Sequence, residues 1–134
     1  MKMNPMRVLV VDDETVIRRN VSEVLALRGY HVAEGCDGCE VATLAERENP
    51  AVIVMDVMMP RKSGFEALEE LRSNPATEHI PVVMLTAVND YELGAHHDAD
   101  SVASTTGVRA PEAFIEKPFD MNQLLREVAR TACR

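Results

Sequence analysis

The stretch Ala51-Val-Ile-Val-Met-Asp-Val-Met-Met-Pro60 constrains the fold more than any other part of the chain. It is a short apolar run, rich in β-branched residues and bounded by Pro50 and Pro60. That pattern reads as a strand buried on both faces, as the strands of a parallel sheet are. One carboxylate, Asp56, interrupts the run near its end. In open α/β sheets the ligand crevice lies outside the C-terminal ends of the strands. Asp56 therefore marks either a ligand site or a simple turn that closes the strand, and the remaining segments decide between the two.

Arg7-Val-Leu-Val-Val-Asp-Asp-Glu14 is a second apolar strand, running into three acidic residues. Thr15 to Arg28 has helical spacing in Val16/Ile17, Val21 and Val24/Leu25, and Gly29 is placed to stop the helix. Tyr30-His-Val-Ala33 reads as a weaker strand. A helix from Asp37-Gly38 to about Glu48 ends at Asn49-Pro50. Gly64 to Ser73 is a further helix, with Phe65, Leu68 and Leu71/Arg72 on one face. Ile80-Pro-Val-Val-Met-Leu-Thr86 and Ala113-Phe-Ile-Glu116 complete the strands. Asp120 opens the last helix, with Gln123 as its expected capping-box partner. Strands alternating with amphipathic helices predict βαβ units: a parallel sheet with helices on both faces. Right-handed crossovers then bring every C-terminal strand end to one edge. Asp12, Asp13, Asp56, Thr86 and Lys117 meet at that edge, too many polar strand ends to be independent turn residues.

Three carboxylates without a His or Cys ligand suit a hard cation that keeps several waters, Mg²⁺ above all. Without a cation they would repel one another and raise each other's pKa values. Lys117 adds an ammonium and Thr86 a hydroxyl, which together with the metal would surround a phosphoryl group's oxygens. Asp12 and Asp13 are adjacent and serve as the metal pair. Asp56 stands alone on its strand and is the candidate nucleophile, forming an aspartyl phosphate.

The net charge of −8 argues against nonspecific binding of this chain to nucleic acid or anionic membranes. No apolar run approaches a membrane span and the N-terminus lacks a signal-peptide core, so the expected compartment is the cytoplasm. Three cysteines supply no disulfide framework.

Val10-Val-Asp-Asp-Glu14, Met55-Asp-Val-Met-Met-Pro60, Gly64, Thr86-Ala87 and Lys117-Pro118-Phe119 together resemble the receiver domain of two-component response regulators. The similarity spans about residues 6 to 132, so residues 1–134 read as a single receiver domain. It implies an α/β, flavodoxin-like (CheY-like) doubly wound sheet of five parallel strands in the order 2-1-3-4-5. It implies Asp56 as phosphoacceptor, charged by a phosphohistidine on a sensor histidine kinase or histidine phosphotransfer protein. Mg²⁺ would be held by Asp12, Asp13, Asp56 and the backbone carbonyl of Met58. Thr86, Ala87 and Lys117 would meet the phosphoryl group, with Phe114 as the aromatic that changes rotamer when Thr86 moves inward. Lys117-Pro118 would be a cis peptide. The output would pass to a downstream protein or a fused output domain, and Arg134 is compatible with either a stand-alone receiver or one module of a longer protein. On this resemblance the chain is not an enzyme beyond catalysing its own phosphorylation and dephosphorylation.

The chain departs from the family between Ala87 and Glu112. The segment is long, its apolar residues are sparse and it lacks a clear helical period, so the family's fourth helix is expected to be short, displaced or replaced by a loop. His96-His97-Asp98 with Asp100 reads as solvated loop rather than a metal site. Cys36-Asp-Gly-Cys39 reads as a turn into the second helix rather than a redox or zinc motif. Met58 and Val88, two residues after Asp56 and Thr86, are apolar and cannot orient a water, which predicts slow self-dephosphorylation. As a strand residue, Phe114 would otherwise pack against the last helix. Three other classes fit the sequence less well. An aspartate-nucleophile phosphatase needs a general acid two residues after its nucleophile, where this chain has Met58. A flavodoxin-like carrier needs a phosphate-cradling loop after its first strand. A phosphorylation-independent binding module would be marked by loss of an acidic residue or of Lys117, and all are present.

Overall fold

The computed structural model describes residues 6–87 and 109–132. In chain order they form β1 (Arg7–Val11), α1 (Thr15–Leu27), β2 (His31–Gly35), a 3₁₀ turn (Gly38–Glu40), α2 (Val41–Glu48), β3 (Val52–Asp56), α3 (Gly64–Arg72), β4 (Val82–Thr86), β5 (Ala113–Glu116) and α4 (Met121–Ala132). The five strands make one sheet in the order β2-β1-β3-β4-β5, and every neighbouring pair is parallel. The parallel sheet is what the strand–helix alternation implies, and its order is the doubly wound, CheY-like one that the resemblance implies. The expectations about the fourth helix of the family, Val88, His96-His97-Asp98 and Asp100 fall outside the described residues.

The alternation of side chains along each strand divides the core in two. Leu9, Val11, Ile53, Met55, Val82 and Met84 face α2 and α3, where Leu44, Ala45, Leu68 and Leu71 cover them. Val8, Val10, Val52, Val54, Val83, Leu85 and Ile115 face α1 and α4, under Val21, Leu25, Leu124, Leu125 and Val128. Both sides of β3 and β4 are therefore apolar, which is why these strands read as continuous hydrophobic runs. Met55 and Met84 fill this core, whereas Met6 and Met58 are exposed.

Several boundaries differ from the periodicity. β2 begins at His31 and extends to Gly35, because its whole length pairs with β1. Glu34 lies on this edge strand, and its side chain reaches Arg18 on α1 at 3.0 Å. β4 starts at Val82 rather than Ile80: Pro81 has no N–H to give the ladder, and Ile80 is buried under α3 instead. The second helix opens with a 3₁₀ turn, capped by Asp37 accepting from the Cys39 N–H, so Cys39 lies in the turn and not at the start of α2. At α4, Asp120 accepts from the Asn122 N–H at 2.8 Å, one position earlier than a capping box with Gln123 would require. A full capping box occurs at α3 instead, between Ser63 and Glu66. The expected stop after α1 holds, with Gly29 at φ 91°.

The parity of β5 corrects one expectation. Phe114 packs in the cluster under α2 and α3, while its neighbour Ile115 faces α1 and α4. Phe114 is therefore on the opposite face of the sheet from the last helix, because Met84, its register partner on β4, points that way.

Candidate functional site

The parallel order brings the C-terminal ends of β1, β3, β4 and β5 to one edge. β1 runs directly into Asp12, which is fully buried, and Asp13, which is exposed. The Asp12 carboxylate accepts from the Glu14 N–H at 2.9 Å, so the chain turns sharply into α1. Arg18, one turn into that helix, donates to the Asp12 carbonyl at 2.9 Å and steadies the same corner. Asp56 closes β3 and is 4% exposed. Carboxylate oxygens of Asp12, Asp13 and Asp56 lie within 4.8 Å of one another.

Two close approaches shape the loop after Asp56. The Gly64 N–H donates to the Val57 carbonyl at 2.7 Å, and a Cβ at position 64 would lie 2.4 Å from the Asp56 carbonyl oxygen. Only glycine lets the start of α3 sit this close to the strand end. On the other side, a Cβ on Gly38 would lie 2.0 Å from the Lys62 carbonyl oxygen, so the 3₁₀ turn buttresses the same loop. Arg61, in the left-handed region at φ 66°, pairs its guanidinium with the buried Asp37 carboxylate. The hydrogen bond from the Cys39 N–H and this ion pair hold the Asp37 carboxyl below its ordinary range. The spacing of Cys36 and Cys39 thus serves a turn, and both thiols are free and exposed. Met58, in the supported loop, is 44% exposed.

Thr86 ends β4 and is buried, with half-buried Ala87 following it. Its carbonyl accepts from the Lys117 N–H, which pins the residue after β5 to the same edge. The Lys117-Pro118 peptide is cis. The Lys117 ammonium lies 3.0 Å from Asp12, 3.2 Å from Glu14 and 3.3 Å from Asp56. Phe114, by contrast, lies along β5 within the α2/α3 core, three residues from the edge.

The electrostatics follow from crowding. Burial, together with the Asp12 charge, pushes the Asp56 carboxyl up to about 7 against an ordinary 3.8, although Lys117 pulls the other way. Asp12 is also raised, chiefly by burial, with the Glu14 N–H and Lys117 opposing. Burial disfavours the Lys117 ammonium, but Asp56 and Asp12 more than compensate and lift its pKa above the ordinary value. The site thus has more negative charge than one ammonium balances. The donor set is all oxygen, partly buried and short of positive charge, which fits a hard divalent cation.

The sequence identified the carboxylates, Thr86 and Lys117 but missed three contacts. Glu14 reaches Lys117, Asp37 holds Arg61, and Arg72 is buried against Glu112 at 2.9 Å while donating to the Ile80 carbonyl at 2.6 Å. Only Arg72 left a signal, since it falls on the apolar face of α3.

Known proteins resemble this chain in sequence and fold. The family model of the response regulator receiver domain matches residues 8–129. The transcriptional regulatory protein PdtaR of Mycobacterium tuberculosis is 34% identical over 132 residues, 97% of this chain and 58% of that protein. The DNA-binding regulator RpaA of Synechocystis is 34% identical over 125 residues, 91% of this chain and 47% of that protein. The chain thus spans about half the length of the curated relatives it matches. Among solved structures, the chemotaxis response regulator CheY4 of Vibrio cholerae superposes with a TM-score of 0.76 at 29% identity, covering 95% of this chain and 98% of that one. The receiver domain of the sensor histidine kinase PA1611 from Pseudomonas aeruginosa gives 0.80 at 25% identity, covering 97% and 99%, and has a magnesium ion coordinated in its active site cleft. With its strand order, its acidic edge and a family match over nearly its whole length, this chain belongs to the response regulator receiver domain family.

Proposed function

We propose that Asp56 is the phosphoacceptor of this receiver and takes its phosphoryl group from a phosphohistidine of a sensor kinase or phosphotransfer protein in the cytoplasm. The observation that carries this reading is the placement of Asp56: a buried carboxylate at the end of the central strand, with two more carboxylates within 4.8 Å and the Lys117 ammonium at 3.3 Å. Asp12, Asp13, Asp56 and the Met58 carbonyl are the residues that would hold Mg²⁺, whose charge would offset the carboxylates and the phosphoryl oxygens.

In the reaction an Asp56 carboxylate oxygen attacks phosphorus and the phosphorus–nitrogen bond breaks. The donor imidazole leaves with the bonding pair and is then protonated. Lys117 supplies a fixed positive charge beside the attacking oxygen. Thr86 and Ala87, at the end of the adjacent strand, offer a hydroxyl and a backbone N–H to the transferred group. Burial keeps water from Asp56, and the apolar Met58 side chain offers no group to direct one, which supports slow self-dephosphorylation. The whole of residues 1–134 acts as one receiver domain, passing its state to a downstream protein or fused output domain through the β4–β5 side of the sheet, with Phe114 as the side chain that follows Thr86. Its catalysis is confined to its own phosphorylation and dephosphorylation.

The test is phosphoryl uptake from acetyl phosphate, with and without Mg²⁺, followed by intact mass spectrometry beside Asp56→Asn. A single Mg²⁺-dependent adduct, absent from the variant, is expected. Uptake by the variant, or none by the folded wild type, would overturn the assignment.

A further inference from the structure

We infer that Glu14 is a positioning residue for phosphoryl uptake: its carboxylate ties the Lys117 ammonium toward the rim of the site, and that tie must break before Lys117 can serve an incoming phosphoryl group. The inference rests on the function proposed above.

An ammonium has three protons to donate, and Lys117 has three carboxylate partners, Asp12 at 3.0 Å, Glu14 at 3.2 Å and Asp56 at 3.3 Å. A phosphoryl oxygen arriving on Asp56 therefore has to displace one of them. The three are not equivalent. Asp12 and Asp56 are buried and belong to the carboxylate cluster. The Glu14 side chain is 58% exposed, stands outside that cluster and returns to water at little cost. Glu14 is the partner that yields.

Helix capping does not account for a glutamate at this position. Glu14 occupies the N-cap of α1 with extended backbone, but its side chain makes no capping hydrogen bond. Its N–H is already committed to Asp12. The carboxylate is instead directed across the site to a residue 103 positions away. Glutamate makes this contact at 3.2 Å, and aspartate, one methylene shorter, is expected to fall short of it from the same backbone position.

The tether and a general charge effect give different results. Time courses of uptake from acetyl phosphate at saturating Mg²⁺ are to be compared for wild type, Glu14→Gln and Glu14→Asp, with thermal melting to confirm the fold of each. If the tether acts, both variants take up the phosphoryl group faster than wild type, by about two- to fivefold, the range an exposed ion pair can supply. Aspartate keeps the negative charge at the mouth of the site, so a wild-type rate in Glu14→Asp would reduce Glu14 to a repulsive charge and overturn the inference. Unchanged or slower uptake in Glu14→Gln would overturn it as well. A second measurement needs no phosphoryl chemistry. The chain has three lysines, Lys2, Lys62 and Lys117. Brief labelling with acetic anhydride, read by peptide mass, should modify Lys117 faster in both variants while Lys62, paired with Glu70, keeps its rate. Equal Lys117 labelling in all three proteins counts against the tether. If wild type shows no adduct on Asp56 while the labelling difference is present, the proposed function fails and the tether stands.

Discussion

A carboxyl group held near pH 7 makes the stability of this molecule depend on pH in an unusual direction. The ordinary acidic side chain of a folded protein is stabilised in its charged form, and stability falls as pH drops. Asp56 behaves oppositely, because burial and Asp12 raise it from 3.8 to about 7. The folded state then binds a proton that the unfolded state has already released. Without Mg²⁺, stability is accordingly expected to decline as pH rises from about 4 through 7, each unit of raised pKa corresponding to about 1.4 kcal/mol. Asp56→Asn should remove most of that slope and melt above wild type at pH 8 without metal, and thermal melts at pH 5 and 8 test both statements. Adding Mg²⁺ should stabilise wild type more at pH 8 than at pH 5, since protons compete for the same oxygens. At this scale the sequence was informative about chemistry and poor about reach. Asp12, Asp13, Asp56, Thr86 and Lys117 were legible because each ends a strand. The Glu14–Lys117 contact was not, because a side chain's direction across 103 positions depends on backbone geometry that no local pattern encodes.

At the scale of elements, the join between β3 and α3 is the most exacting part of the fold. Gly64→Ala places a methyl group 2.4 Å from the Asp56 carbonyl oxygen, and neither strand end nor helix can retreat without disturbing the core. The substitution is expected to cost roughly 1–3 kcal/mol and to weaken Mg²⁺ binding, as measured by urea unfolding and by metal titration. Arg72 is the corresponding fixture at the opposite end of α3. It is buried against Glu112 and holds the carbonyls of Glu78 and Ile80, joining α3 to the chain on either side of β4. Arg72→Ala removes a buried charge from a buried partner and should cost about 3–5 kcal/mol, whereas Arg109→Ala, which removes an exposed guanidinium from a Glu112 that keeps Arg72, should cost under about 1 kcal/mol. Helices and strands were readable to within a residue or two wherever the apolar period was strong. The misjudged ends were at β2 and β4, where pairing with a neighbour and a proline's missing N–H set the boundary. Phe114 was placed on the wrong face because a four-residue strand carries too little alternation to reveal its parity.

For the molecule as a whole, parallel order turns four distant segments into one site. Asp12 and Lys117 are 105 residues apart and 3.0 Å from each other. Such contacts form only when the sheet is complete, so the site and the fold should be lost together on unfolding. Within the sheet the strands are unequal. β3 and β4 are buried along their whole length, while β2 and β5 lie at the edges with partly exposed residues. Amide hydrogen exchange is expected to be slowest in β1, β3 and β4 and faster in β2 and β5. Equal protection across the sheet would contradict this ranking. The gathering of polar ends was readable because it follows from connection rules rather than from any single residue, whereas the strand order came from the family resemblance.

The ion pair between Asp37 and Arg61 bears on how this chain can change over generations. Asp37 is buried, and besides Arg61 it also accepts from the Cys39 N–H. Arg61 is largely exposed and contributes nothing to the core. Losing Arg61 first would strand a buried charge. Exchanging Asp37 for asparagine first would keep the acceptor for Cys39 and leave Arg61 free to drift. The two routes to the same pair of substitutions are therefore unequal: lineages should lose the acid before the base, and a chain with Asp37 but no cation at position 61 should be a rare and short-lived intermediate.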